Sequence, residues 1–137
     1  MSDWEYVQIG SICDVGDGAH TKVSRQKIGI PYLTSKNFSK GALKLDDVDY
    51  ISEDDYENLF SKASKAITRP QKNDVLMSII GTFGNGYKYK ENDFFGISSS
   101  IAILRPNQSK IDADFLEYAI NSRAFENTHK AYSGGIS

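Results

Sequence analysis

Short apolar blocks alternate along this chain with polar loops rich in Gly, Ser, Thr, Asn and Lys. Trp4, Val7 and Ile9 predict an opening strand, with Gly10-Ser11-Ile12 a tight turn into a strand at Cys13–Val15 and Gly16-Asp17-Gly18 a loop. Ile30–Thr34 and Val48–Ile51 predict short strands. Ser52 then caps a helix: Asp55 follows three residues on, acids fill the first turn, and Tyr56, Leu59, Phe60 and Ala63 share one face. Lys62 and Lys65 carry the charge sign that favours its C-terminus. Val75–Ile80 is a continuous apolar run of strand length. After it Gly81, Gly84 and Gly86 form a loop, Asn85-Gly86 signals a hairpin turn, and Tyr87–Lys90 alternates as a half-exposed strand does. Ile97–Leu104 predicts a further strand, with Ser98-Ser99-Ser100 leading in. Near the end, Asp112 is an N-cap before the apolar stripe Phe115, Leu116, Ala119 and Ile120, and Ser122 caps a second short helix with Ala124, Phe125 and Thr128. Many short strands and few helices predict an α+β fold. Residues 1–137 are expected to form one domain round a strongly bent, mostly antiparallel or mixed sheet with a helical C-terminal segment.

Composition narrows the function classes. The length of 137 residues suits one domain with its own core, and no apolar run approaches the ~20 residues of a membrane span. The acidic start MSDWEYVQIG lacks the features of a signal peptide, so a cytoplasmic protein is expected. Cys13 has no second cysteine to pair with, and His20 and His129 have no neighbours at metal-ligand spacing, so neither a disulfide nor a metal site is expected. The net charge of −2 is unusual for a nucleic-acid binder, but charge is segregated along the chain. Gly18–Leu45 holds six bases and no acid, Asp46–Glu57 seven acids and no base, and Asn58–Lys90 six bases against Asp74. Such a chain either presents separate basic and acidic faces or folds them together as interleaved surface pairs.

Three loops carry the candidate chemistry. Gly81–Gly86, GTFGNG, lacks the Lys-Ser/Thr of a phosphate loop and leads into a strand, which excludes a nucleotide-binding reading. A hairpin there still offers Thr82, Asn85, Tyr87 and Lys88 to a ligand. Thr34–Gly41, TSKNFSKG, sets hydroxyls, an amide and two lysines just past a strand. Asn bonds adenine bidentately, and Lys reaches guanine or a phosphate, although any surface turn has a similar composition. Asp17–Lys22, DGAHTK, holds His20 without the partners of a catalytic set, so His20 is a polar contact candidate. Asp46, Asp47 and Asp49 lack the Gly and terminal Glu of an EF-hand loop and read as a solvated acidic face.

In order, VQIGSI, DVGDGAHTK, GIPYLTSKNFSKGAL, NDVLMSIIGTFG and Ser99–Pro106 resemble the specificity (S) subunit of type I restriction-modification enzymes, in one of its target recognition domains. The resemblance spans nearly the whole chain. It implies sequence-specific recognition of double-stranded DNA, one half of a bipartite target, and assembly with methyltransferase (M) subunits. It also implies no catalytic residues in this chain and no cofactor: S-adenosylmethionine, ATP and magnesium would belong to partner subunits. The family continues into a conserved region and a long coiled-coil helix, whereas this sequence stops at Ser137, so a recognition domain ending before that region is expected.

The expected DNA contacts are His20, Lys22, Thr34, Ser35, Lys36, Asn37, Lys40, Thr82, Asn85, Tyr87, Lys88 and Ser99. Lysines would position the backbone, and Asn37, Asn85 and the hydroxyls would read base edges. The competing reading is a protein-interaction module that binds methyltransferase subunits without contacting DNA. A small hydrolase ranks last.

Overall fold

The computed structural model describes residues 9–60, 67–80 and 84–122. A helical turn, α1 (Ile9–Ile12), stands where the sequence predicts a tight turn, and it feeds strand β1 (Cys13–Asp17). Then come β2 (Ile30–Leu33), a 3-10 turn (Ser35–Asn37), the strand pair β3 (Phe38–Ser39) and β4 (Ala42–Leu43), β5 (Asp49–Ile51) and helix α2 (Glu53–Leu59). The rest is β6 (Val75–Ser78), β7 (Gly84–Lys88), β8 (Gly96–Ile97), β9 (Ile101–Pro106) and α3 (Ala113–Ile120). Ser52 caps α2 as expected, its Oγ accepting from Asp55 N at 3.1 Å, and Asp112 caps α3 through Phe115 N at 3.2 Å. The expected opening strand (Ile9 apart), the positions 62–65 expected at the end of the helix begun at Ser52, and the helix expected after Ser122 lie outside the described residues.

The strands divide among three small sheets. An antiparallel sheet runs β1-β9-β6-β7, a mixed sheet runs β5-β2-β8 with β2 and β8 parallel, and β3-β4 is a separate pair. The expected strand Ile97–Leu104 is therefore split. Gly96–Ile97 pairs with β2, Ser98–Ser100 turn the chain, and Ile101 begins β9 in the other sheet. This crossover explains the small residues there: a Cβ on Gly18 would lie 2.2 Å from the carbonyl oxygens of both Ile97 and Ser98. A second difference is at Asn85-Gly86, which form part of β7 and not a hairpin tip. Leu76 faces Tyr87 and Ser78 faces Gly84, so β7 carries an extra residue, accommodated by positive φ at Gly84 (109°) and Asn85 (49°).

β6 is buried on both faces, which is why its sequence is an unbroken apolar run. Leu76 joins a large cluster with Leu33, Phe38, Phe60, Ile97 and Ile103, whereas Val75 and Met77 join a smaller one with Leu116 and Ile120 of α3. The sheet thus lies between an aromatic core and α3. Asp74, at the entry to β6, is 1% exposed and is held by Arg105, whose Nε and Nη2 donate to its two carboxylate oxygens at 2.9 Å each.

Candidate nucleic-acid interface

The polar loops singled out in the sequence meet in the fold. Gly18 N donates to Ile101 O (3.2 Å), Ala19 N to Ile97 O (2.9 Å) and Ser99 N to Ala19 O (3.0 Å), which seats the 17–22 loop on the β8–β9 crossover. Ser98 N donates to Leu33 O (3.0 Å), and Ser35 N to Ser100 Oγ (3.1 Å), which binds the 34–40 loop to the same crossover. At its far end, Gly41 N donates to Gly86 O (2.9 Å) and Asn85 Nδ2 to Phe38 O (3.4 Å), so β7 is tied to the β3–β4 pair. Segments distant in sequence form one hydrogen-bonded loop face.

α3 braces β7 through side chains that bond its backbone. β7 is an edge strand, and the free amides of such an edge need partners. Asn121 supplies both halves of an amide clamp on Gly86: its Oδ1 accepts from Gly86 N at 2.7 Å and its Nδ2 donates to Gly86 O at 2.9 Å. Glu117 accepts from Lys88 N at 2.8 Å, and Asp114 pairs with the Lys88 ammonium. Sequence reasoning missed this trio. Its signal is the spacing 114, 117, 121, which places three polar side chains on one helix face.

The candidate contacts differ in accessibility. His20, Lys22, Lys36 and Lys40 are exposed; Thr34, Ser35, Asn85, Lys88 and Ser99 are partly buried; Thr82 lies outside the described residues. Asn37 is 1% exposed and its amide is used internally. Nδ2 donates to the carbonyls of Lys44 and Asp47, both at 2.9 Å, and Oδ1 accepts from Thr34 N at 3.0 Å. Tyr87 is buried as well, its hydroxyl donating to Asp93 Oδ2 at 2.5 Å. Both are braces in this structure. The cations have carboxylate neighbours: His20 Nε2 lies 2.8 Å from Asp17, Lys36 Nζ 3.1 Å from Asp47, and Arg25 Nη1 2.8 Å from Asp49. The hydrogen bond to Asp114, then its charge, raises the Lys88 pKa above the ordinary lysine value, so Lys88 stays cationic. At these positions the basic and acidic segments are folded against each other as interleaved pairs.

An open cavity of about 580 Å³ beside α1, lined by Cys13, Gln71, Arg105 and Lys110 among others, includes none of the candidate contacts. Among the described residues no group of three or more His, Cys, Asp or Glu is placed to hold a metal ion. Nor, among them, is any helix long and apolar enough to cross a membrane.

The sequence and the fold both have counterparts among known proteins. Residues 1–136 match the model of the type I restriction modification DNA specificity domain. The chain belongs to that family. The family is one of DNA specificity in type I restriction modification, so its members' task is recognition of particular DNA sequences. The fold is similar to that of the HsdS subunit from Thermoanaerobacter tengcongensis, with a TM-score of 0.55, 23% identity, and coverage of 84% of this chain and 26% of that one. A second similar chain comes from a structure described as the basis of complex assembly and conformational transition of the type I R-M system. It has a TM-score of 0.58 and 20% identity, over 88% of this chain and 27% of that chain. The specificity domain thus spans about a quarter of each solved chain. No curated protein matches it.

Proposed function

We propose that this specificity domain binds duplex DNA through the face made by the 17–22, 34–40 and 98–100 loops and β7, and reads one half of a bipartite target. The observation that carries the reading is the joining of these loops at the 96–101 crossover and at Gly86, which gives one hydrogen-bonded polar surface from segments far apart in sequence. Lys22, Lys36 and Lys40 serve the phosphates, while His20, Thr34, Ser35, Asn85 and Ser99 face base edges. Asn37 and Tyr87 act beneath the surface by fixing loop geometry. Methyltransferase subunits complete the assembly and hold S-adenosylmethionine, and ATP with magnesium belongs to the translocating subunit. This chain supplies recognition without chemistry of its own, in the cytoplasm.

Replacing Lys22 or Lys36 by Ala tests the face. Each is expected to weaken duplex binding on every sequence alike and to flatten the slope of log K against log salt by about 0.9 per lost phosphate contact. Unchanged affinity and slope in both variants would remove the lysines from the interface.

A further inference from the structure

Arg25 and Lys36 belong to different segments yet converge on one anion. Arg25 Nη1 lies 2.8 Å from Asp49 Oδ2, and Lys36 Nζ lies 3.7 Å from the same oxygen and 3.1 Å from Asp47 Oδ2. Ordered backbone sets this arrangement. Asp49 sits in β5 opposite Tyr32 of β2, and the neighbouring Tyr50 exchanges backbone hydrogen bonds with Gln26, the residue after Arg25, at 2.7 and 3.2 Å. The Asp47 carbonyl accepts from the buried amide of Asn37, the residue after Lys36. The Arg25 guanidinium also lies over the Tyr32 ring, 5.4 Å from its centre, which orients it. Two cations held about one oxygen position match what a phosphate needs, and Arg presents its donors in a planar fork suited to that anion.

We propose that Arg25 and Lys36 form a phosphate-binding pair for duplex DNA, occupied in the free domain by the carboxylates of Asp49 and Asp47. The proposal rests on the DNA-binding reading above and adds Arg25 and both acids to it. A backbone phosphate displaces the carboxylates and takes the oxygen position between the two cations. Exposed ion pairs add little to stability, so the acids act mainly by competing with phosphate. Their charge subtracts from the backbone contribution, which every sequence shares, and leaves base readout untouched. The domain then holds DNA weakly unless further contacts are made around it.

The test measures binding of the 137-residue chain to random-sequence duplexes at about 50 and 200 mM salt, where phosphate contacts dominate. Asp47→Asn with Asp49→Asn is expected to raise affinity roughly three- to tenfold at the lower salt, equally on any sequence, and to steepen the salt slope. Arg25→Ala or Lys36→Ala in that background removes the gain. Glu91→Gln, the charge change of Asp47→Asn alone placed in an exposed turn outside the cluster, changes affinity less than that single variant does, and by under about twofold at these ionic strengths. Asp47→Asn alone, at an exposed carboxylate, gives a smaller gain in the same direction and serves if the double variant folds poorly. If the wild type binds and the folded variants gain nothing, the phosphate pair is overturned while DNA binding stands. If neither wild type nor variants bind at the lower salt, both readings fall.

Discussion

The sheet around β6 and the loop face beside it are held together by different means. β6 has apolar neighbours on both sides and carries one charged anchor, Asp74 with Arg105. The 34–47 loop has few apolar contacts of its own beyond Phe38 and Leu43, and its shape rests on the three hydrogen bonds of Asn37 and on serine hydroxyls of the crossover. Apolar packing tolerates many sequences that conserve volume, whereas a hydrogen-bonded loop depends on particular donors and acceptors. The sheet region therefore fixes where the loops emerge, and individual polar residues fix what they present.

That contrast is broken most severely at Asp74. Asp74→Ala leaves the Arg105 guanidinium without its carboxylate partner and is expected to cost about 3 kcal/mol, the lower end for a broken buried pair because Arg105 is partly exposed. Urea unfolding monitors the loss, and DNA binding of the remaining folded fraction should change little. Asn37→Ala should cost less, about 2 kcal/mol, because it strands two carbonyls and an amide in a part-buried loop. Its effect on recognition should be larger than that of Asp74→Ala: base preference flattens across several positions as the loop loses its shape. A change confined to one position would instead make Asn37 a direct base reader.

Asn121→Ala removes the clamp on Gly86 and is expected to cost about 1 kcal/mol, visible as faster amide exchange at Gly86 and Lys88. Alkaline pH probes the core through its tyrosines. Burial, then the hydrogen bond to Asp93, pushes the Tyr87 hydroxyl well above its ordinary 10.0, and burial chiefly pushes Tyr89 up to about 12. The fold thus favours their neutral forms. This stability is fully present below the ordinary value and is lost as pH rises through the folded-state values. Melting temperature should be level up to about pH 10 and fall beyond it, less steeply in Tyr87→Phe.

The parts of the fold written in local patterns were legible in the sequence. Ser52 and Asp112 cap their helices, β6 is the buried run, and Tyr87 and Tyr89 point inward while Lys88 and Lys90 are the more exposed. Local patterns carry no record of which sheet a strand joins, so the serines at 98–100 looked like the start of one strand and not like a change of sheet. Phe115 was read into the α3 core stripe, yet it is 43% exposed, and Ala113, Leu116 and Ile120 make the packed face. The candidate loops were legible as loops. The role of each polar side chain was not, because Asn37 in a turn looks the same whether its amide faces solvent or bonds carbonyls at Lys44 and Asp47. Partners separated in sequence, such as Arg25 with Asp49 and Gly86 with Asn121, emerge only once strand pairing is known.

Reading of duplex DNA by the joined loops is open to direct measurement. Selection of bound duplexes from a randomised pool, repeated at about 50 and 200 mM salt, tests it most directly. Steeply salt-dependent binding and enrichment of a short contiguous motif are expected, with Lys22→Ala lowering affinity without changing the motif. Absence of binding at the lower salt, or binding that enriches no motif and is indifferent to Lys22 and Lys36, would contradict it.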